Sequence, residues 1–276
     1  MKNIRLILGT MIIIPLLLSA GKSEDQALYK SDAPREVLPQ HKKVLVAAAA
    51  DLRYAMDSLV AAFTRTHPGA DIQVVYGSSG NFYEQIRNGA PFDLFFSADM
   101  DYPEKLKADG KVPGPVITYG VGSLVLWSRS IDPSIQGMQT LLNSSVSKIA
   151  IANPAHAPYG KRAMESLTFY QLYDKVKDKL VMGENISQAA QFAASGSAEI
   201  GMIALSLALS PAFRQAGGKY WLIPAGSHAR QDQGFVLTSH AEENNDAKAF
   251  SDFVRTPVAI SILDIFGFGQ AIPSRT

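Results

Sequence analysis

Between Val74 and Leu106 the chain reads VVYGSSGNFYEQIRNGAPFDLFFSADMDYPEKL, and this stretch leaves few folds open. An apolar run of strand length breaks at Gly77-Ser78-Ser79-Gly80 and continues as a helical stripe through Phe82 and Ile86. A further run from Pro91 to Asp99 reads as a buried strand that delivers Ser97 and Asp99 to the same sheet edge. Glycines and hydroxyls at a strand-to-helix junction leave unpaired backbone N–H groups at the start of the helix. Together with the positive end of the helix dipole, those groups form a site for an anion. The preceding segment follows the same plan. Lys43 to Ala49 is an apolar run that turns at Ala50-Asp51 into a stripe of Leu52, Ala55, Met56, Leu59, Val60 and Phe63, stopped at His67-Pro68-Gly69. The order strand–helix–strand–helix–strand predicts an α/β fold with a parallel sheet. In such sheets ligands gather outside the carboxyl ends of the strands, where Ala50-Asp51 and Ser78-Ser79 both fall.

The second half repeats the pattern. The run Ile117 to Ser128 (ITYGVGSLVLWS) predicts a strand crossing to a second lobe. Gly120-Val121-Gly122 is no dinucleotide fingerprint, because the third glycine and the following helix are missing. Lys148 to Ala152 predicts a strand, then a loop through Tyr159-Gly160 and a helix from Lys161. Leu180 to Gly183 predicts another, followed by Asn185 as helix N-cap, Ile186, and Gly196 at the helix end. Glu199 to Ala204 and Tyr220 to Ala225 complete the lobe, and Gly234 to Ser239 reads as the return crossing. Helices carrying Phe250, Phe253, Val254, Ile260 and Leu263 are expected to pack back on the first lobe. The expected division is 43–121 and 233–276 for lobe I and 122–232 for lobe II.

Lys2 and Arg5, an apolar run from Leu6 to Leu18, and Ser19-Ala20-Gly21 read as a cleavable signal peptide over residues 1–20. Residues 21–42 read as a polar tether. The chain has no cysteine, which closes the lipoprotein route and any disulfide framework. The periplasm is the expected location. Without the leader, 24 basic residues face 25 acidic ones, a net charge of −1. Such a chain lacks the field that gathers nucleic acid, so an anion must be held by local geometry.

Hydrolytic and metal chemistry find little support. No Gly-x-Ser-x-Gly elbow occurs, Ser79 has no histidine in its loop, and the five histidines lack metal-ligand spacing. Asp93 and Asp99 could form an acid–base pair, but Asp99 is the better cap for the segment after it. Asp51 is expected to cap the helix beginning at Leu52, with a cavity-facing carboxylate as the alternative. Apart from Arg53, Lys161 and Arg162, Lys and Arg are sparse at the four loops, which argues against a phosphoryl-transfer site and for a neutral hydrogen-bond cage.

GSSGNFYEQIRNGAPFDLFFSADMDYPEKL, TYGVGSLVLWS, IANPAHAPYGKRAMESL, ENISQAAQF and SAEIGMIALS, in that order, resemble the periplasmic molybdate-binding proteins of ABC transporters over nearly the whole mature chain. The resemblance implies a type II periplasmic-binding-protein fold, two α/β lobes with crossing strands and a cleft between them. It implies a monomer that is not an enzyme, needs no cofactor beyond its ligand, and serves a membrane permease and its ATPase. It also implies an oxyanion held by Ala50, Asp51, Ser78, Ser79, Tyr159 and Ile186. Ser79 would give a hydroxyl and an N–H, and Tyr159 and Ile186 would give backbone N–H groups. Relatives place Ser, or Thr-Asn, where this chain has Ala50-Asp51, and one branch has a tyrosine at the position of Ala204. Molybdate or tungstate is the leading ligand, followed by sulfate, phosphate or another tetrahedral anion. A secreted serine hydrolase using Ser79 is the alternative from another class.

Overall fold

The computed structural model describes residues 41–269. The expected leader, residues 21–40 of the tether and residues 270–276 lie outside them. The tether's last two residues are held in place: His41 Nδ1 and the Lys42 N–H both meet the Asp246 carboxylate, at 3.2 and 3.0 Å.

The chain begins with β1 (Val44–Ala49), a 3-10 turn (Ala50–Leu52), α1 (Arg53–Thr66), β2 (Ile72–Gly77), α2 (Ser79–Arg87), β3 (Leu94–Ser97) and α3 (Asp101–Ala108). β1 lies between β2 and β3 and is parallel to both. Covered on both faces, β1 and β3 are buried almost throughout, which is why they read as unbroken apolar runs. The edge strand β2 alternates, with Gln73 and Val75 exposed.

The expected single crossing strand is two strands, β4 (Ile117–Gly122) and β5 (Leu124–Ser128). Ser123 separates them, and they belong to different sheets. The second half continues through β6 (Ile149–Ala152), α4 (Pro158–Phe169), α5 (Tyr173–Val176), β7 (Leu180–Gly183), α6 (Ile186–Ser195) and β8 (Ile200–Ala204). Then come α7 (Leu205–Ala208), α8 (Pro211–Gln215) and β9 (Lys219–Leu222). The chain returns as β10 (Gln231–Leu237), three residues earlier than expected, and ends in α9 (Asn245–Val254) and α10 (Pro257–Ile265).

Two five-stranded sheets result, ordered β2-β1-β3-β10-β4 and β7-β6-β8-β5-β9. β10 runs antiparallel to β3 and β4, and β5 antiparallel to β8 and β9. Phe250, Val254, Ala259 and Leu263 of the last two helices pack with Leu59 and Phe63 of α1, closing one face of the first sheet. Asn244 and Thr256 cap these helices through side-chain bonds to the N–H groups of Ala247 and Ala259. The second sheet has its own core around Trp127, Leu167 and Met202, into which Ala49, Ala50 and Ala98 of the first half also pack. Small side chains at that junction let the halves meet closely.

Candidate functional site

Four helical N-termini meet where the halves touch. The turn at Ala50, α2 at Ser79, α4 at Pro158 and α6 at Ile186 each follow a strand end, as the punctuation of the sequence predicts. They enclose a cavity of about 10 Å3 lined by Ala49, Ala50, Asp51, Gly77, Ser78, Ser79, Ala98, Ala157, Pro158, Tyr159 and Ile186. All six residues expected at the site are therefore brought together. The volume falls below the roughly 300–1,000 Å3 of pockets for larger ligands, so the space suits a small ion. The helix α4 starts at Pro158, three residues before the expected Lys161, which puts Tyr159 in its first turn. First-turn N–H groups have no intrahelical partner. Those of Ser79, Tyr159 and Ile186 are taken by no loop or cap bond among the described residues.

Side chains behind the lining fix these donors. The Ser79 hydroxyl oxygen accepts from the Ala98 N–H at 3.0 Å, leaving its own proton to point elsewhere. Ser79 is wholly buried. Asn185 caps α6 by accepting from the Gln188 N–H, as expected, and Gly196 ends that helix at φ 82°. Ser187 and Ser206, in the second half, donate to the carbonyl oxygens of Ala50 and Asp51 at 2.8 Å each. Holding those carbonyls sets the orientation of the adjoining peptides. Ala204 pairs with Leu124 in the sheet and is not part of the lining.

Asp51 corrects an expectation. The helix after it starts at Arg53, its N-cap is Leu52, and no side chain caps it. The inserted 3-10 turn swings Asp51 away from the capping position. Its Oδ2 instead accepts from Tyr159 Oη at 3.0 Å and Gln233 Nε2 at 2.8 Å. Gln233 Nε2 also reaches Tyr159 Oη at 3.1 Å, and Gln233 Oε1 accepts from Tyr119 Oη at 2.5 Å. Asp51 Oδ1 is buried with no well-formed hydrogen bond among the described residues. Burial pushes the carboxyl up to about 6, against the pull of Gln233, Tyr159 and the N–H groups of Asp51 and Leu52. Ionising it thus costs folding stability, a penalty absent below about pH 4 and complete above about pH 6. Burial, and then the Asp51 charge, raise Tyr119 and Tyr159 well above the usual phenol range.

Among the described residues no lysine or arginine lines the cavity, and Asp51 is the one ionisable carboxylate there. An ionised carboxylate about 4 Å from a bound anion would be opposed by roughly 4 kcal/mol per unit charge at an effective dielectric of ~20.

The remaining polar groups join the two halves. Ser78 lines the cavity, and its hydroxyl meets His156 Nδ1 of the other half at 2.9 Å. The Gly80 N–H donates to the His156 carbonyl at 2.9 Å, and Asn81 Nδ2 to Glu184 Oε1 at 2.7 Å. Asp99 is expected to cap the next helix, but the N-cap of α3 is Met100 and no side chain caps it. Asp99 instead accepts from the Asp101 N–H two residues on and pairs with Arg162 at 3.1 Å. Asp93 accepts from the Leu45 N–H and meets His240, remote from the cavity lining. Ser79, the nucleophile of the hydrolase alternative, hydrogen-bonds to the Ala98 N–H and to no histidine among the described residues.

Gln233, Tyr119, His156, Ser187 and Ser206 were not singled out from the sequence. A serine two residues past the Asn185 cap and another just past a strand end are weak local signals for two of them. The other three act through contacts between distant segments.

The model of the bacterial extracellular solute-binding protein family matches residues 44–269. The molybdate-binding protein ModA of Rhodobacter capsulatus is 38% identical over 82% of this chain and 88% of that protein. Its namesake in Azotobacter vinelandii is 36% identical over 83% of this chain and 91% of that protein. The solved Azotobacter vinelandii periplasmic molybdate-binding protein superposes with a TM-score of 0.76 at 33% identity, covering 83% of this chain and all of that one. This chain belongs to the bacterial extracellular solute-binding protein family.

Proposed function

We propose that this protein is the substrate-binding component of an ABC importer and captures a tetrahedral oxyanion, molybdate or tungstate before others. One observation carries the reading: four helical N-termini converge on one small cavity whose lining holds no cationic side chain. Fixed N–H donors and helix dipoles then do the work of a counter-charge. The relatives' names support the choice of ion and of a binding protein rather than an enzyme. The binding set is Ala50, Asp51, Ser78, Ser79, Tyr159 and Ile186, with Ser79 giving both hydroxyl and N–H. The ion is cargo, and no further cofactor enters. The protein works in the periplasm as a monomer and hands its ion to a membrane permease and its ATPase.

Calorimetric titration of purified protein with molybdate, tungstate, sulfate and phosphate tests this reading. Molybdate and tungstate are expected to bind tightest. Absence of binding by all four would overturn it, and preference for phosphate or sulfate would reassign the ion.

Ser79→Ala sharpens the test. A hydroxyl donated to a buried oxyanion is charge-assisted and contributes roughly 1.5–3 kcal/mol. The variant is expected to bind molybdate about ten- to a hundredfold more weakly. Unchanged affinity would remove the Ser79 hydroxyl from the site.

A further inference from the structure

The oxyanion reading leaves one buried group unaccounted for. Asp51 lines the same cavity, is about 1% exposed, and has one oxygen without a well-formed hydrogen bond. Every element packed around it presents neutral groups. From α4 comes Tyr159, from β10 Gln233, from β4 Tyr119, and from α6 and α7 the hydroxyls of Ser187 and Ser206. The neighbouring cation, Arg53, lies over the Tyr76 ring, its guanidinium carbon 4.7 Å from the centroid. The N–H groups of Asp51 and Leu52 lie near the carboxylate but make no well-formed bond to Oδ1, and the side-chain network has no further proton to give. Tyr159 gives its single hydroxyl hydrogen to Asp51 Oδ2, and the Gln233 amide divides its two between Asp51 and Tyr159. Tyr119 is turned toward Gln233 Oε1 and the Ser97 carbonyl. Oδ1 is the place left for a hydrogen.

Resting on the oxyanion reading, we propose that Asp51 binds the ion as the neutral acid, its Oδ1–H donating to an oxyanion oxygen. A fully deprotonated oxyanion then takes one proton from solvent as it enters. The O–H bond forms on Asp51 as hydronium or a buffer acid gives up its proton, and the complex gains one negative charge less than the ion carries. A hydrogen phosphate ion brings its own proton, which lies between phosphate oxygen and Asp51 carboxylate, and needs none from solvent. The site thereby favours molybdate over hydrogen phosphate more strongly as pH falls. The raised pKa of the carboxyl in the empty site, with burial as its first cause, agrees in direction.

Linkage fixes the sign. Above the pH at which the free carboxyl ionises, about 6, each further unit is expected to weaken molybdate binding by about tenfold until the complex itself loses the proton. Titrations at pH 8 in two buffers of different ionisation enthalpy count the protons directly. About one taken up per molybdate is expected for the full chain. Asp51→Asn can offer an amide N–H in place of the acid. It is expected to take up none, to bind with little pH dependence between pH 6.5 and 8.5, and to bind more tightly than the parent at pH 8.5. Molybdate binding by the parent without proton uptake would overturn this proposal and leave the oxyanion reading standing. Failure of molybdate, tungstate and sulfate to bind the parent anywhere between pH 6 and 9 would overturn both. The proton count on the parent does not depend on whether the variant folds.

Discussion

Gly160→Ala is expected to lower the melting temperature by several degrees and to reduce oxyanion affinity by more than about a hundredfold. Gly160 sits in the first turn of α4, next to Tyr159. A Cβ there would lie 2.2 Å from the Ala152 carbonyl oxygen, 2.8 Å from the Pro154 nitrogen and 2.9 Å from the Ala152 carbonyl carbon. All three are backbone atoms, so no side chain can rotate out of the way. Ala152 is pinned as the last residue of β6, and the Asn153 N–H is tied to the Gly183 carbonyl at 2.8 Å. The helix start is therefore what must move. Overpacking of this kind costs about 1–3 kcal/mol, occasionally more. For a domain of this size that corresponds to roughly 2–12 °C, at about 2–4 °C per kcal/mol. The larger effect falls on binding. Moving the first turn of α4 withdraws the Tyr159 N–H from the cavity and pulls its hydroxyl from Asp51. Calorimetry gives the stability and titration with molybdate the affinity. Parental values for both would show that the turn adapts and that its position does not set the site.

What could be read from the sequence was what is local. A strand running into glycine, serine or asparagine and then an amphipathic stripe announces a helix N-terminus wherever it occurs. Ser79 and Ile186 were therefore placed by their own neighbours, and the sheet architecture followed from the order of such units. The helical stripe becomes evident only at Lys161, so Tyr159 reads as a loop residue, although Pro158 is a favoured first helical residue. Asp51 departs from its local preference for a physical reason. Aspartate before a helical stripe favours capping, and that local preference carries no knowledge of Gln233, 182 residues away, or of Tyr159, 108 residues away. Once those donors arrive, Asp51 gains two hydrogen bonds with Tyr159 and Gln233, and the chain inserts a 3-10 turn to let it reach them. The crossing at Ser123 was hidden similarly. Both flanking runs are apolar, and only pairing with β10 on one side and β8 on the other separates them.

Gly80→Ala is expected to weaken molybdate binding by about five- to a hundredfold while leaving the unliganded protein as stable as before, or more so. Gly80 lies in α2 of the first half, and a Cβ on it would come within 2.7 Å of the His156 carbonyl oxygen in the second. Its own N–H donates to that same oxygen at 2.9 Å. Gly80 and His156 each adjoin the cavity lining, at Ser79 and Ala157. The added methyl group thus obstructs the meeting of the halves, while within the first half the site is a helix position that alanine suits. In the open form Gly→Ala is expected to stabilise by about 0.4–1 kcal/mol, through the reduced freedom of the unfolded chain. In the closed form overpacking costs about 1–3 kcal/mol, and the Ser78–His156 and Asn81–Glu184 contacts are strained with it. Only the closed form brings all four N-termini to the ion, so the cost appears in affinity, tenfold for each 1.4 kcal/mol or so. Solution scattering separates this from simple damage. The parent is expected to shrink on adding saturating molybdate, because the halves close around the ion. The variant should show the same unliganded profile and a smaller contraction. If it binds and contracts as the parent does, the seating of Gly80 on His156 is not the geometry of the ion-bound state.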